Sequence, residues 1–180
     1  MTTQTIKTEL ILNDRKVVVG YKFLENIVRD IPDIKENRKI FDMLVHSDNQ
    51  EVRRCIANKE NVSKKSIDIL LNDDNLNVVD NVLSNVDLSK CIKEETLMKI
   101  VQSNHTQLLL TIAENIDNYA KCNLCKIVKL LANHKNASVR YALLYWRVTG
   151  IVTVKILKQL VKDEDIDVSN YARKELERSR

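Results

Sequence analysis

The sequence predicts an all-α solenoid, and three observations carry that expectation. Val52, Val79, Leu109, Val139 and Val168 recur at intervals of 27, 30, 30 and 29 residues, within the roughly 20–50-residue period of units that stack into solenoids. Each anchor is followed by apolar residues three and four positions on. Each is also preceded, across a polar break rich in Asn and Asp, by an apolar stripe at helical spacing. Finally, the 180 residues include only two Gly and one Pro, too few for the tight turns of sheets and barrels but sufficient for helices joined by short polar breaks. A single helix pair cannot bury its own stripe, so neighbours must stack into a shared core. About five stacked antiparallel helix pairs account for the periodic part of the chain.

The elements follow in order. Val17, Tyr21, Leu24, Ile27 and Val28 have helical spacing and end at Asp30-Ile31-Pro32-Asp33, since Pro lacks an amide and disfavours helix before it. Val17-Val18-Val19-Gly20 suits a strand locally, but Lys16–Arg29 is expected to be an atypical capping helix, with Thr5–Leu12 its candidate partner. Residues 1–33 thus form an N-terminal helical cap continuous with repeats over residues 34–180. The first clear unit has Ile40, Phe41, Leu44 and Val45, a break at His46-Ser47-Asp48-Asn49, then Val52, Cys55 and Ile56. Asp48 or Asn49 can cap the second helix through a side-chain oxygen, and Asn58 can end it in the left-handed conformation. The pattern recurs with breaks at Asn72–Asn75, Ser103–Thr106, Asn133–Asn136 and Lys162–Asp165. The charged end Lys174-Glu175-Leu176-Glu177-Arg178 suits a terminal cap.

The segments Asp48-Asn49-Gln50-Glu51-Val52-Arg53-Arg54-Cys55-Ile56-Ala57-Asn58, Ala137 to Leu143 and Asp165 to Ala172 resemble the Asp…Val-Arg…Ala-x-Asn signature of HEAT-like repeats and of their bacterial relative, the variant leucine-rich repeat. The resemblance spans roughly residues 36–178 and, with a 27–30-residue period, favours HEAT-like helix pairs. It implies a right-handed superhelix whose second helices line the concave surface, and a family united by packing that hosts many activities. The signature Arg stands at Arg53 and Arg140 but is replaced by Asp80, Leu110 and Ser169, so a continuous Asp–Arg ladder is not expected.

Functional signals are sparser. No Gly-rich phosphate loop can be built from Gly20 and Gly150. His46, His105 and His134 each lie in a different break and read as polar loop residues, without a neighbouring acid or nucleophile that recurs. Cys122-Asn-Leu-Cys125 has the spacing of half a zinc site or a redox pair, but Cys55 and Cys91 do not supply the other half; packing cysteines are expected, with no metal and no cofactor. The Met1–Leu12 stretch lacks the pattern of a signal peptide, and no run approaches ~18 apolar residues. A cytoplasmic protein with reduced thiols and no membrane association is therefore expected, and a monomer.

The last third carries the charge: residues 121–180 hold 13 basic and 6 acidic groups. On the second helices, if the anchors face inward, Arg53, Arg54 and Ala57, then Asp80, Asn81 and Ser84, then Leu110, Thr111 and Glu114, then Arg140, Tyr141, Leu144, Tyr145 and Arg147, and finally Ser169, Asn170 and Arg173 face outward. Of these, Arg53, Arg54, Arg140, Tyr141, Tyr145, Arg147 and Arg173 are the candidate binding residues, because Tyr and Arg bury area while still hydrogen-bonding. Trp146 is expected to plug the core between repeats. The expected function is a non-catalytic binding or scaffold module for a protein partner. The alternative is nucleic-acid (DNA) binding through the basic C-terminal repeats, and the third reading is a repeat-type DNA glycosylase or lyase, which needs a carboxylate and several aromatics to converge.

Overall fold

Polar breaks of four residues or so separate short amphipathic helices along most of the chain, and the computed structural model describes residues 10–12, 15–17, 20–119, 122–145 and 150–178. Among these are twelve α-helices and one two-stranded hairpin. The chain divides into two compact units, Met1–Cys91 and Ile92–Arg180.

In the first unit, β1 (Leu10–Leu12) pairs antiparallel with β2 (Arg15–Val17), Ile11 opposite Lys16. Then come α1 (Tyr21–Asp30), α2 (Arg38–Leu44), α3 (Gln50–Ala57), α4 (Lys64–Leu70), α5 (Leu76–Ser84) and the single turn α6 (Val86–Ser89). Helix α2 packs on α3 and α4 on α5, while α1, α3 and α5 pack in succession. The second unit holds α7 (Glu94–Gln102), α8 (Thr106–Glu114), α9 (Leu124–Ala132), α10 (Ala137–Ala142), α11 (Val154–Leu160) and α12 (Ile166–Glu177). Its three pairs, α7/α8, α9/α10 and α11/α12, build two layers: α7, α9 and α11 in one, α8, α10 and α12 in the other.

The repeat phase is the one the periodicity predicts. Val52, Val79, Leu109, Val139 and Val168 are all at most 3% exposed. Asx side chains start the second helices: Asn49, Asn75, Asn136 and Asp165 each accept the backbone N–H two residues on, at 2.8–3.0 Å. This satisfies one of the amides that the first turn leaves without a partner. Helix α8 has His105 at this position and no side-chain cap. Asn104 just before it takes the left-handed conformation (φ 61°) that closes α7.

Two local expectations are corrected. The helical cap does not extend over Lys16–Arg29: Lys16 and Val17 lie in β2, and α1 begins only at Tyr21, after an extended Gly20. Here the local β preference at Val17 prevails over the helical spacing. Thr5 to Glu9 of the expected partner helix lie outside the described residues, and Leu10–Leu12 form β1. Asn58 ends α3 in right-handed conformation (φ −95°), its amide group donating back to the Arg54 carbonyl at 3.2 Å.

Leu109, at 1% exposure, sits in the middle of the second unit's inner packing, where an unpaired carboxylate costs several kcal/mol, on the order of a domain's whole stability. Leu109→Asp is therefore expected to abolish the cooperative thermal transition seen by circular dichroism. Retention of the parent melting temperature would place this residue, and with it the repeat phase, wrongly.

Candidate functional site

In three of the five repeats the position one residue after the anchor faces the break, not the solvent. Arg140 is 6% exposed, its Nε and Nη2 donating to the two oxygens of Asp163 at 2.8 and 2.6 Å and its Nη1 to the carbonyls of His134 and Lys135 at 2.7 and 3.1 Å. Arg53 repeats this in the first unit. Its Nε and Nη2 reach Asp73 at 2.6 and 2.9 Å, its Nη1 reaches the Ser47 and Asp48 carbonyls at 2.7 and 3.2 Å, and Asp74 adds a contact at 3.0 Å. Ser169 sits in the same register, buried, with its hydroxyl donating to the Val161 carbonyl at 2.8 Å. Arg53 and Arg140 thus commit their guanidinium N–H groups to bonds within the fold. Ala57, Thr111 and Leu144, also expected outside, are buried.

Burial pushes the Asp163 carboxyl up. The Arg140 hydrogen bonds, the Asp165 amide and the Arg140 charge more than offset this and hold it below the usual range. Asp73 is held low in the same way against its own burial, by Arg53 and the Asn75 amide.

Of the other candidates, Arg54 is half-exposed and pairs with Glu51 at 2.6 Å, with buried Glu25 at 4.0 Å. Arg173 is exposed on α12 and donates to Asn170 at 3.3 Å. Arg147 and Trp146 lie outside the described residues.

Tyr141 and Tyr145 do come together, and a third ring joins them. They are four residues apart, one helical turn, with Tyr145 on the tight turn that continues α10; their centroids are 5.9 Å apart, nearly perpendicular. Tyr171 on α12 lies 5.3 Å from Tyr141 and 5.8 Å from Tyr145. Together they line a hollow of about 680 Å³ shared by α8, α10 and α12. Leu110, Ala137, Ala142 and Val168 give it apolar surface, while Glu114, Asp165, Asp167 and Lys174 bring charge. Tyr145 is 60% exposed. Burial, then Tyr145 through its charge and hydrogen bond, then Tyr171 and Asp167, push the Tyr141 phenol above its ordinary range.

Tyr171 was missed because it stands three residues after its anchor, where the other units hold Cys55, Val82, Ile112 and Ala142. A Tyr at a position otherwise filled by smaller apolar side chains was the available signal, since so large a ring must lean out of the layer.

The histidine and cysteine candidates do not form a centre. His46 and His105 are exposed. His134 Nδ1 accepts from the Asn136 amide at 3.1 Å, which leaves Nε2 to donate to Asn104 Oδ1 at 2.8 Å; it ties two breaks together. Cys122 is half-buried, its thiol 3.7 Å from the Ile92 carbonyl, and Cys125 is exposed. Burial, with Glu94 adding to it, pushes the Cys122 thiol up. Among the described residues no three His, Cys, Asp or Glu side chains converge as a metal site. No protein-family model matches the chain, and no curated protein matches it.

The two rungs differ in how far they depend on one acid. Arg53 is more exposed than Arg140 (side chains 14% and 7%) and keeps Asp74 at 3.0 Å, whereas Glu164 is 3.6 Å from Arg140. Asp163→Ala is expected to cost roughly 3 kcal/mol by leaving a buried guanidinium unpaired, and Asp73→Ala less. A carboxyl held below its unfolded value of about 3.9 contributes stability that is complete above that value and lost as pH falls through the folded value. The difference between parent and Asp163→Ala in chemical denaturation should therefore shrink below about pH 4. A difference that stayed constant down to pH 2 would contradict the ion-pair account.

Proposed function

We propose that the chain is a non-catalytic binding module built from HEAT-like helix pairs of right-handed twist within each unit, and that it recognises a protein partner through the second-helix layer α8, α10 and α12. One observation carries this reading: three tyrosines from two helices meet in a hollow with Tyr145 60% exposed, in a chain with only 4% aromatic residues. Clustered, partly exposed tyrosines on rigid elements offer large contact area at small conformational cost, which is what concentrates binding energy at protein interfaces.

The distribution of charge separates this from the nucleic-acid alternative. Lys126, Lys129, Lys155 and Lys158 are exposed on the first helices α9 and α11, which carry no acid. None of them lines the tyrosine hollow, whose charged groups are three carboxylates and one Lys. Single-stranded nucleic acid is gripped by cations and aromatics in the same groove, and here they belong to different layers. A repeat-type glycosylase or lyase is favoured by the convergence of Asp167 with the rings. Both Glu114 and Asp167, however, are exposed to solvent and not enclosed with a substrate. The reading takes the protein to act as a cytoplasmic monomer without metal or cofactor; no described helix is long and apolar enough to cross a membrane.

The test is capture from an extract of the source cells on immobilised protein, with and without nuclease and at two salt concentrations. A protein retained after nuclease treatment is expected, with Tyr145→Ala weakening it by roughly 1–3 kcal/mol at unchanged helicity. Retention that disappears with nuclease, or follows alanine substitution of the four lysines and not of Tyr145, would replace this reading with the nucleic-acid one.

A further inference from the structure

The hollow's charge and ring geometry together say which chemistry it accepts. Glu114 comes from α8, Asp165 and Asp167 stand at the start of α12, and Lys174 is the one described cation in the lining. Asp165 is committed to capping, accepting the Asp167 and Val168 amides at 3.0 and 3.1 Å. Glu114 and Asp167 are exposed, and neither has an ion-pair partner among the described residues. A ligand that brings positive charge is favoured, and a phosphate or carboxylate is not.

The rings also select the shape of that charge. At centroid separations of 5.3–5.9 Å the three tyrosines are in mutual contact, leaving no gap among them for a round ammonium group. What they offer is outer ring surface, chiefly that of Tyr145. A planar guanidinium can stack on such a ring and still fork its N–H groups to a carboxylate, which an ammonium cannot do.

Building on the reading of the hollow as a docking site, we propose that its occupant is an arginine side chain in a basic peptide segment of the partner, stacked on Tyr145 and Tyr171 and paired with Asp167 and Glu114. The apolar floor of Leu110, Ala142 and Val168 takes the residues beside that arginine.

Three synthetic peptides of one length test this: one with two arginines, one with citrulline in their place, which keeps the shape and removes the charge, and one with glutamates. Binding is followed by NMR of the tyrosine rings and by calorimetry. The arginine peptide should shift the Tyr145 and Tyr171 ring signals, and the citrulline peptide should bind on the order of tenfold more weakly, a loss fitting a stacked, paired charge. Tyr145→Leu should weaken the arginine peptide roughly two- to fivefold. The pair Glu114→Gln with Asp167→Asn should weaken it by about five- to tenfold and flatten its salt dependence. Both acids are exposed, so this variant should melt as the parent does. Equal binding of arginine and citrulline peptides, preference for the glutamate peptide, or indifference to the loss of both acids would overturn the proposal. If none of the peptides binds while Tyr145→Ala still weakens partner capture, the arginine assignment fails alone; if capture ignores Tyr145, the docking reading fails with it.

Discussion

The bidentate bond between Arg140 and Asp163 organises the second unit. Arg140 directly precedes Tyr141 on α10, and Asp163 lies just ahead of α12. Four hydrogen bonds of 2.6–3.1 Å hold the guanidinium to Asp163 and to two carbonyls of its own break. Asp163 in turn accepts the Asp165 amide at 2.9 Å, and Asp165 caps α12. This chain of bonds sets where α12 begins relative to α10, and with it the distance from Tyr171 to Tyr141. Removing two charges from water is costly, and only near-complete pairing offsets it. The pairing here is close to complete, which makes it a means of specifying register more than of adding stability. Arg53, Asp73 and Asn75 repeat the arrangement in the first unit, Asp73 accepting the Asn75 amide at 2.9 Å.

Much of the fold was legible because it rests on periodicity. Burial of the five anchors follows from spacing alone, as do the Asx caps, since a short side-chain oxygen ahead of an apolar run can do little else so well. The places that escaped are those where one local preference overrides the period. Val17 to Gly20 carry both signals, and the strand prevailed up to Val17. Asn58 is of a type that tolerates the left-handed conformation, but its side chain bonds the Arg54 carbonyl and it stays right-handed. Among the described residues other than glycine it is Asn104 that is left-handed, and nothing in its type distinguishes it from Asn58.

The site was legible in part, and the division has a physical cause. A helical wheel gives two classes of position, inward and outward, but a layer of stacked helices has a third, facing the breaks of the same and the next repeat. Arg53, Arg140 and Ser169 occupy it, and the wheel assigned them to solvent. Tyr141 and Tyr145 lie far enough round the helix to line the hollow. Tyr171 was hidden by the opposite error: spacing put it inside, while its size forces it half out.

The same third class of position explains why charge and aromatic surface part company. Taken along the sequence, the surplus of the last 60 residues, 13 basic groups against 6 acidic, suggests one basic face bearing Arg140 among the tyrosines. In three dimensions Arg140 is buried against Asp163, and the exposed Lys side chains of α9 and α11 project from the other layer. What is left around the rings is Glu114, Asp165 and Asp167 against Lys174. A unit whose net charge is positive therefore surrounds its only described cluster of three tyrosines with carboxylates. Total charge governs long-range attraction, but at 0.15 M salt its reach is about 8 Å, so a ligand at the rings responds to the local acids. Net charge and local charge point to opposite kinds of ligand here, and at contact distance the local one decides.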